Sequence, residues 1–112
     1  MRELLKGDIP TLILSVLEIA PAHGYAIARR VEQRSQGALT MKEGSLYPAL
    51  RVLEQEALIM GNWEKQATGP DRKVYTITPS GRAELARRAQ AWREYAILVG
   101  TFLGESTDAQ SA

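Results

Sequence analysis

The side chains that most often catalyse reactions or bind metals are scarce in this chain of 112 residues. It has no cysteine and a single histidine, His23, which excludes disulfides, thiolate metal sites and sites with several histidine ligands within one chain. No glycine-rich phosphate loop and no pairing of a nucleophile with a base stands out. We therefore expect a binding protein without a metal or cofactor, not an enzyme. His23 precedes Gly24 and is interpreted as a turn or cap residue.

Basic side chains are the remaining candidates, and their positions matter more than their number. Lysine and arginine total 14 against 13 for aspartate and glutamate, so the net charge gives no argument for nucleic acid. Five cations nevertheless fall in two stretches that can meet on one surface: Lys42, Arg51, Lys65, Arg72 and Lys73. Together they would form a phosphate-binding footprint, although taken alone such residues are more commonly ordinary solvated side chains.

The hydrophobic pattern places these cations on one small domain that is mainly α-helical. Asp8 and Pro10 open a first helix, and a second helix, "YAIARRVEQRSQG", has Ile27 and Val31 on one face. Two β-rich runs on either side of "ATGPD" predict a hairpin, after which Thr78 caps a long last helix. Three helices, a hairpin and a long helix make the order.

The third helix contains a proline, and its start can be placed in two ways. In "TMKEGSLYPALRVLEQEAL", Thr40 and Glu43 have the spacing of a capping box, which predicts a start near residue 41 with Pro48 inside the helix. If Ser45 is the N-cap instead, Pro48 falls in the first turn, where its missing N–H costs almost nothing. One stripe at helical spacing is expected to be buried: Leu46, Leu50, Leu53 and Ala57.

A third helix just ahead of a hairpin is the layout of a winged helix-turn-helix, in which that helix enters the DNA major groove. The face opposite the leucines carries Met41, Gly44, Ser45 and Pro48, mostly small residues that let a phosphate or base edge approach closely. The predicted DNA-contacting residues are Thr40, Lys42, Gly44, Ser45, Tyr47, Pro48, Arg51, Lys65, Arg72 and Lys73.

The last helix has more apolar surface than one small domain can easily cover. Its apolar residues alternate steps of four and three, as in a coiled-coil seam, and further ones widen the stripe. We predict a homodimer interface formed by Leu85, Ala89, Trp92, Ala96, Val99, Phe102 and Leu103. A two-fold dimer would place two recognition helices about 34 Å apart, one turn of duplex DNA.

The two tryptophans have packing roles as their simplest interpretation. Trp92 either fills the dimer core or forms one wall of a pocket that stacks a flat aromatic effector; we favour the core. Trp63, in the first hairpin strand, is expected to pack on the face of that strand.

The two ends of the chain complete the predicted organisation. The apolar run near the start is broken by Pro10 and too short to cross a bilayer, so we expect a cytoplasmic protein with no membrane partner. The tail "GESTDAQSA" lacks large apolar residues and is expected to fray. We divide the chain into a winged helix-turn-helix domain at 1–78, a dimerisation helix at 79–104 and a disordered tail at 105–112.

Four stretches of the chain resemble a known family. They are "LKGDIPTLILSVL", "HGYAIARRVE", "GSLYPALRVLEQEALI" and "RKVYTITPSGR", and they extend from residue 4 into the last helix. They resemble the PadR family of bacterial transcriptional regulators, specifically its short members with a single carboxy-terminal helix. The resemblance implies a homodimer that binds operator DNA through the third helix and the wing. It also implies repression of a nearby gene, which a small aromatic effector can release.

Carried over by motif, the resemblance places Ser45, Tyr47 and Pro48 on the DNA-reading helix and Arg72 and Lys73 on the wing. It also favours the helix start near residue 41. Two departures stand outside this set: Ala57 replaces a frequent glycine at the end of the third helix, and Val74 replaces a frequent tyrosine.

We therefore expect a sequence-specific DNA-binding regulator that acts as a repressor on a pseudo-palindromic operator. The alternative is a winged-helix adaptor for another protein, which predicts no basic strip across the third helix and the wing.

Overall fold

The computed structural model describes residues 2–3, by their backbone alone, and residues 7–105. Four α-helices lie within these ranges: α1 (Ile9–Ile19), α2 (Gly24–Arg34), α3 (Glu43–Gln55) and α4 (Pro79–Phe102). The described strands are β1 (Arg2–Glu3), β2 (Ala22–His23), β3 (Leu39–Thr40), β4 (Ile59–Glu64) and β5 (Arg72–Ile77). This is a winged helix-turn-helix followed by a long helix, so the predicted fold class is confirmed. Most of the predicted disordered tail, from residue 106 onward, lies outside the described residues.

Helices α1, α2 and α3 supply most of the core because each has one apolar face. Ile13 in α1 and Ile27 in α2 are fully buried. The three leucines of the predicted α3 stripe, Leu46, Leu50 and Leu53, are each 1% exposed. Burying one such side chain stabilises the fold by about 1.5–3 kcal/mol. The helical spacing of apolar residues thus correctly predicted which sides of these helices meet.

The predicted hairpin is present and forms the wing, which we define as residues 59–77. Its strands β4 and β5 pair antiparallel, with Ile59 opposite Ile77. Sequence patterns did not predict a third strand: β2 pairs with the other edge of β5, placing His23 opposite Val74. A strand of two residues is too short for a periodic pattern to reveal. The pairing fixes the start of α2 beside the wing.

Helix α3 begins between the two starts that the sequence suggested. Lys42 is its N-cap residue, in extended conformation and with no side-chain capping hydrogen bond, and Glu43 is its first helical residue. The capping predictions for Thr40 and Ser45 are both wrong, because Thr40 still belongs to strand β3 and Ser45 is already helical. Met41 precedes the helix and is buried in the core, which corrects its predicted place on the outer face.

Pro48 lies inside α3 on its exposed side. A proline at this position cannot donate to the carbonyl of Gly44, four residues earlier. Because Gly44 is also exposed, water can hydrate that carbonyl, which lowers the cost of the missing hydrogen bond. The prediction that Pro48 faces outward from the core is confirmed.

Helix α3 ends in a left-handed turn at Ala57, whose φ is 60°. The amides of Ala57 and Leu58 donate to the carbonyls of Glu54 and Leu53, each at 3.0 Å, which is a Schellman motif. Glycine adopts this conformation without the penalty that a Cβ brings. Ala57 is exposed, so its predicted place in the buried stripe is wrong: the helix ends before the stripe reaches it.

Helix α4 is anchored at its first turn. The Oγ1 of Thr78 accepts the amide of Gly81 at 3.0 Å, which confirms Thr78 as the N-cap. The same hydroxyl donates to the carbonyl of Ala57 at 2.7 Å, and the amide of Thr78 donates to that of Leu58 at 3.1 Å. Gly81 lies so close to the Leu58 carbonyl that a Cβ would collide with its oxygen. The start of α4 is therefore fixed against the end of α3.

The first half of α4 packs on the protomer itself. Leu85 is only 8% exposed and belongs to the core cluster that contains the buried residues of α1. Arg88 donates to the hydroxyl of Thr11 in α1 at 3.2 Å and to the carboxylate of Glu84 at 2.6 Å. Leu85 was predicted at the dimer interface, but it is covered within its own chain and offers no surface to a partner.

Candidate nucleic-acid interface

A cleft of about 500 Å³ opens between the start of α2, helix α3 and the wing. Its lining combines aromatic rings, two cations and one carboxylate: His23, Tyr25, Tyr47, Trp63, Tyr75, Arg72, Lys73 and Asp71. We call it the wing cleft. Of the ten predicted DNA-contacting residues, it brings together Tyr47, Arg72 and Lys73. The pairing of β2 with β5 creates the cleft, because it holds the start of α2 beside the wing.

Tyr47 extends from α3 towards the start of α2. Its ring approaches Gly24 so closely that a Cβ there would lie 2.8 Å from both Cε1 and Oη. Tyr47 nevertheless remains 43% exposed to solvent. Tyr47 is therefore held in a defined position and remains open to a ligand.

His23 caps α2 and faces the wing at the same time. Its Nδ1 accepts the amide of Ala26 at 3.3 Å, and its Nε2 lies 3.3 Å from a guanidinium nitrogen of Arg72. Burial, followed by the charges of Arg72 and Arg30, lowers the pKa of His23. The prediction of a cap residue is confirmed. A neutral imidazole has one acceptor nitrogen, and in His23 that nitrogen is Nδ1, which accepts the amide of Ala26. Nε2 then carries the proton and offers Arg72 no acceptor. The exposed guanidinium of Arg72 is therefore available to an anion.

Lys73 is engaged with another element of the protein. Its Nζ lies 2.9 Å from Oε1 of Glu54 on α3, with the ring centroids of Trp63 and Tyr75 at 6.0 and 5.6 Å. The hydrogen bond that Lys73 donates to the carboxylate of Glu54 raises the pKa of Lys73. A Cβ at Gly61 would collide with the Lys73 side chain. The charge of Lys73 is thus matched by a carboxylate, unlike that of its neighbour Arg72.

Trp63 is 69% exposed, so the prediction that it packs on the strand face is wrong. Its partner across the hairpin is Lys73, and the next residue on the same face of β4 is Gly61. Neither offers a broad apolar surface against which an indole could be buried. Trp63 instead forms part of the open wall of the wing cleft.

The small residues of α3 border a second depression, on the other side of the helix. Gly44, Ser45 and Pro48 line a groove of about 680 Å³ together with Pro10 of α1 and Arg88 of α4. All three are exposed, as the sequence predicted. Helix α3 thus separates the wing cleft from this groove, which we call the helix groove.

The remaining predicted DNA-contacting residues lie around these two depressions. Arg51 is exposed on α3. Burial raises the pKa of Tyr75, and the charges of Lys73 and Arg51 partly oppose that rise. Lys42 is exposed at the start of α3 and Lys65 just after β4, whereas Thr40 is half-buried in β3. Sequence reasoning missed Tyr25 and the wing side of His23, although "HGY" stands directly at the start of α2.

Within the described ranges, no group of three or more histidine, aspartate or glutamate side chains is placed to hold a metal ion. None of the helices in the same ranges has both the length and the apolarity needed to span a bilayer.

Comparison with known proteins identifies the fold and its role. The model of the transcriptional regulator PadR-like family matches residues 13–87. The chain belongs to this family. PadR-like proteins are transcriptional regulators, so the expectation that the chain is not an enzyme is confirmed.

Individual relatives of this PadR-like regulator agree with the family match. It is 31% identical over 96 residues to the transcriptional regulator Rv3488 of Mycobacterium tuberculosis, covering 86% of each chain. It is 37% identical to a PadR family transcription regulator of Clostridium difficile R20291, with a TM-score of 0.76 and coverage of 87% of this chain and 99% of that one. It is 32% identical over 73 residues to the negative transcriptional regulator PadR of Bacillus subtilis, covering 65% of this chain but 40% of that longer one.

The second half of α4 extends beyond the core of the PadR-like regulator with its large apolar side chains exposed. Most of them are at least half exposed, and Phe102 reaches 90%. We call this surface the apolar end of α4; its large exposed members are Trp92, Tyr95, Ile97, Leu98, Phe102 and Leu103. Ala96 is also exposed, while Ala89 and Val99 are half-buried.

Trp92 lines an open cleft of about 530 Å³ between α4 and α1. Its indole stacks on Tyr95, with ring centroids 6.2 Å apart and planes inclined by 22°. Leu12 of α1 and Leu39 of β3 supply apolar walls opposite. Within one protomer, Trp92 is therefore the wall of a cleft and is 65% exposed.

Proposed function

We propose that this PadR-like regulator is a homodimer that binds operator DNA through α3 and the wing and represses the gene that it controls. The observation that carries the proposal is an exposed α3 next to an exposed wing, with unburied cations on both. Repression is supported by the Bacillus subtilis relative, which is described as a negative regulator. Such a regulator acts in the cytoplasm, where the bacterial chromosome lies.

Exposed cations on both α3 and the wing support binding to DNA. Arg51 on α3 and Arg72 on the wing are exposed, and Lys42 and Lys65 extend the basic surface along the same two elements. Phosphate contacts of this kind supply much of the affinity of DNA-binding proteins. The adaptor alternative is the weaker proposal, because the family to which the chain belongs consists of transcriptional regulators.

The apolar end of α4 supports the homodimer. Soluble monomers rarely expose a contiguous apolar patch of more than a few hundred Å², and larger ones commonly mark interaction sites. A second copy supplies the same apolar surface, so a two-fold axis through this region would bury both copies at once. The proposed interface comprises Ala89, Trp92, Ala96, Val99, Phe102 and Leu103.

The Trp92 cleft is the proposed effector site. Its volume and apolar lining suit a flat aromatic molecule, which would stack on the indole and be covered by the partner protomer. An effector bound there would contact α1 and α4 and therefore act on the arrangement of the two protomers.

The test of DNA binding is a titration of labelled DNA from the region upstream of the gene, followed by fluorescence anisotropy at several salt concentrations. We expect log K to fall linearly with log[salt], with a slope of about −0.9 for each phosphate contacted. Arg51→Gln and Arg72→Gln should each weaken binding and reduce the slope by about one contact. Arg93→Gln on the exposed side of α4 is the matched control and should change neither.

Binding that is flat in salt, or no binding to any upstream region, would contradict the proposal. Specific capture of one protein together with no DNA binding would support the adaptor instead.

A further inference from the structure

The outer part of the wing has less sheet support than its base. Strand β2 pairs only with Val74 and Tyr75 of β5, so the hairpin beyond them is a ribbon of two strands. An isolated two-stranded hairpin is at best marginally stable in water. A contact that holds this ribbon against α3 therefore determines where the tip of the wing lies.

The ion pair between Lys73 and Glu54 is such a contact. Lys73 lies on β5 beyond the reach of β2, Glu54 lies near the end of α3, and their charged atoms are 2.9 Å apart. Both side chains are about one third exposed, with values of 29% and 33%, so the pair is partly shielded from solvent.

The lack of a side chain at Gly61 leaves room for the ion pair between Lys73 and Glu54. A Cβ at that position would collide with the Lys73 chain and would lie 3.0 Å from Oε2 of Glu54. Gly61 is opposite Tyr75 in the hairpin, and the ammonium lies over the rings of Tyr75 and Trp63. Both strands of the wing and α3 therefore contribute to one arrangement.

Arg72 differs from Lys73 although the two are neighbours. The guanidinium of Arg72 is exposed and lies 3.3 Å from Nε2 of His23, whereas the ammonium of Lys73 contacts Glu54 of α3. Of these two neighbours, Arg72 is thus available to a phosphate and Lys73 is held by α3.

We infer that Lys73 and Glu54 are positioning residues, which hold the outer wing at a fixed distance from α3, and that Lys73 does not contact a DNA phosphate. The inference rests on the proposed function, in which α3 and the wing bind the same duplex. It replaces the sequence-based prediction that Lys73 belongs to the phosphate-binding set.

Salt dependence distinguishes the two roles. Loss of a phosphate contact lowers the slope of log K against log[salt] by about one contact. A wing that is less well positioned in the free protein but makes the same contacts when bound lowers the affinity and leaves the slope unchanged. We expect Lys73→Met and Glu54→Gln each to weaken operator binding about two- to fivefold, the equilibrium effect of one partly exposed ion pair, with unchanged slopes. The exchanged pair Lys73→Glu with Glu54→Lys should recover most of the affinity. Arg72→Gln is the control that should reduce the slope.

A second measurement needs no DNA. Amide hydrogen exchange of β4 and β5 in the free protein should be faster in Lys73→Met and Glu54→Gln than in the wild type, and should return in the exchanged pair.

Three results would overturn the inference: a reduced slope in Lys73→Met, tighter DNA binding in Glu54→Gln, or unchanged wing exchange in both single variants. A wild-type chain that binds no DNA would overturn the proposed function, and the exchange data would then decide separately whether the pair holds the wing.

Discussion

The phenol ring of Tyr47 occupies the space that a side chain at position 24 would need, with Cε1 and Oη both 2.8 Å from the place of a Gly24 Cβ. Gly24 is required here for space and not for a left-handed backbone. The two helices of the helix-turn-helix therefore meet through an aromatic ring against a bare backbone. Any group larger than hydrogen at position 24 must displace the ring that the wing cleft presents to a ligand.

Gly24→Ala is expected to destabilise the protein by about 1–3 kcal/mol, because the added methyl overpacks the contact with Tyr47. Chemical denaturation of the variant and the wild type measures the difference. In a Tyr47→Ala background, which lacks the ring, Gly24→Ala should cost less stability than it does in the wild type. Equal stability of Gly24→Ala and the wild type would show that the ring is not held at Gly24.

Gly44→Ala should act in the opposite direction on stability and should weaken DNA binding. A Cβ at Gly44 meets no atom within 4 Å, so the substitution should gain about 0.5–1 kcal/mol from the lower flexibility of the unfolded chain. If the duplex approaches the small face of α3, the same methyl group should lower operator affinity. Unchanged affinity with raised stability would exclude a close approach at Gly44.

Ala57→Gly should stabilise the protein by about 1 kcal/mol, because the left-handed turn at the end of α3 suits glycine better than alanine. Ala49→Gly, inside the same helix, is the matched control and should cost about 1 kcal/mol. Thermal unfolding of both variants tests the pair. A loss of stability in Ala57→Gly would mean that the turn is not left-handed in solution.

Sequence patterns predicted the elements of this fold well and their ends poorly. The leucines of α3 were assigned correctly because helical spacing depends on many residues at once. The N-cap of the same helix was misplaced because Lys42 has no side-chain capping bond and Thr40 is held in β3 by pairing with β1. The start of α3 thus depends on pairing between two strands that are far apart in the sequence, which local patterns cannot reveal.

The candidate site, too, was predicted only in part from the sequence. Tyr47 and Arg72 were predicted from residue type and layout, and both line the wing cleft. The sequence could not show that Glu54 holds Lys73, since the two are 19 positions apart and meet only after the wing folds back on α3. Trp63 was misjudged for a related reason: its exposure depends on the small size of its neighbour Gly61.

His23 should make stability depend on pH. The folded state lowers its pKa below the usual value of about 6.5, so the unfolded state binds more protons and the free energy of unfolding falls as pH drops from 7.5 towards 5. Protonation removes the Nδ1 acceptor that caps α2, which is expected to cost up to about 1 kcal/mol. His23→Asn keeps a capping oxygen that does not titrate, so its stability should be flatter over this range.

Urea denaturation at closely spaced pH values checks this prediction. Arg88 and Arg87 lower the pKa of Glu84, so its contribution is present above the usual carboxyl pKa and is lost only at more acidic pH, which separates the two effects. The same pH dependence in His23→Asn and the wild type would contradict the assignment to His23.

Phe102→Glu should convert the proposed dimer into a monomer, because the charge would have to be buried in the proposed interface at the apolar end of α4. Phe102 is 90% exposed within the protomer, so the substitution should leave the fold intact, which circular dichroism can verify. Gln90→Glu, exposed on the same helix and away from the proposed interface, is the control. Sedimentation velocity gives the masses, and an unchanged dimer in Phe102→Glu would place the interface elsewhere.

Thr78 is hydrogen-bonded to Ala57 and Leu58, and Gly81 packs against the Leu58 carbonyl, so α4 is fixed at its start and can act as a lever. Its 24 residues extend about 36 Å from that anchored end. In the proposed dimer, tilting the lever by about 5° would displace one end relative to the other by about 3 Å, close to the rise of one base pair. A small change of packing angle where two such levers cross would then change the separation of the two α3 helices and take them out of step with successive turns of the duplex.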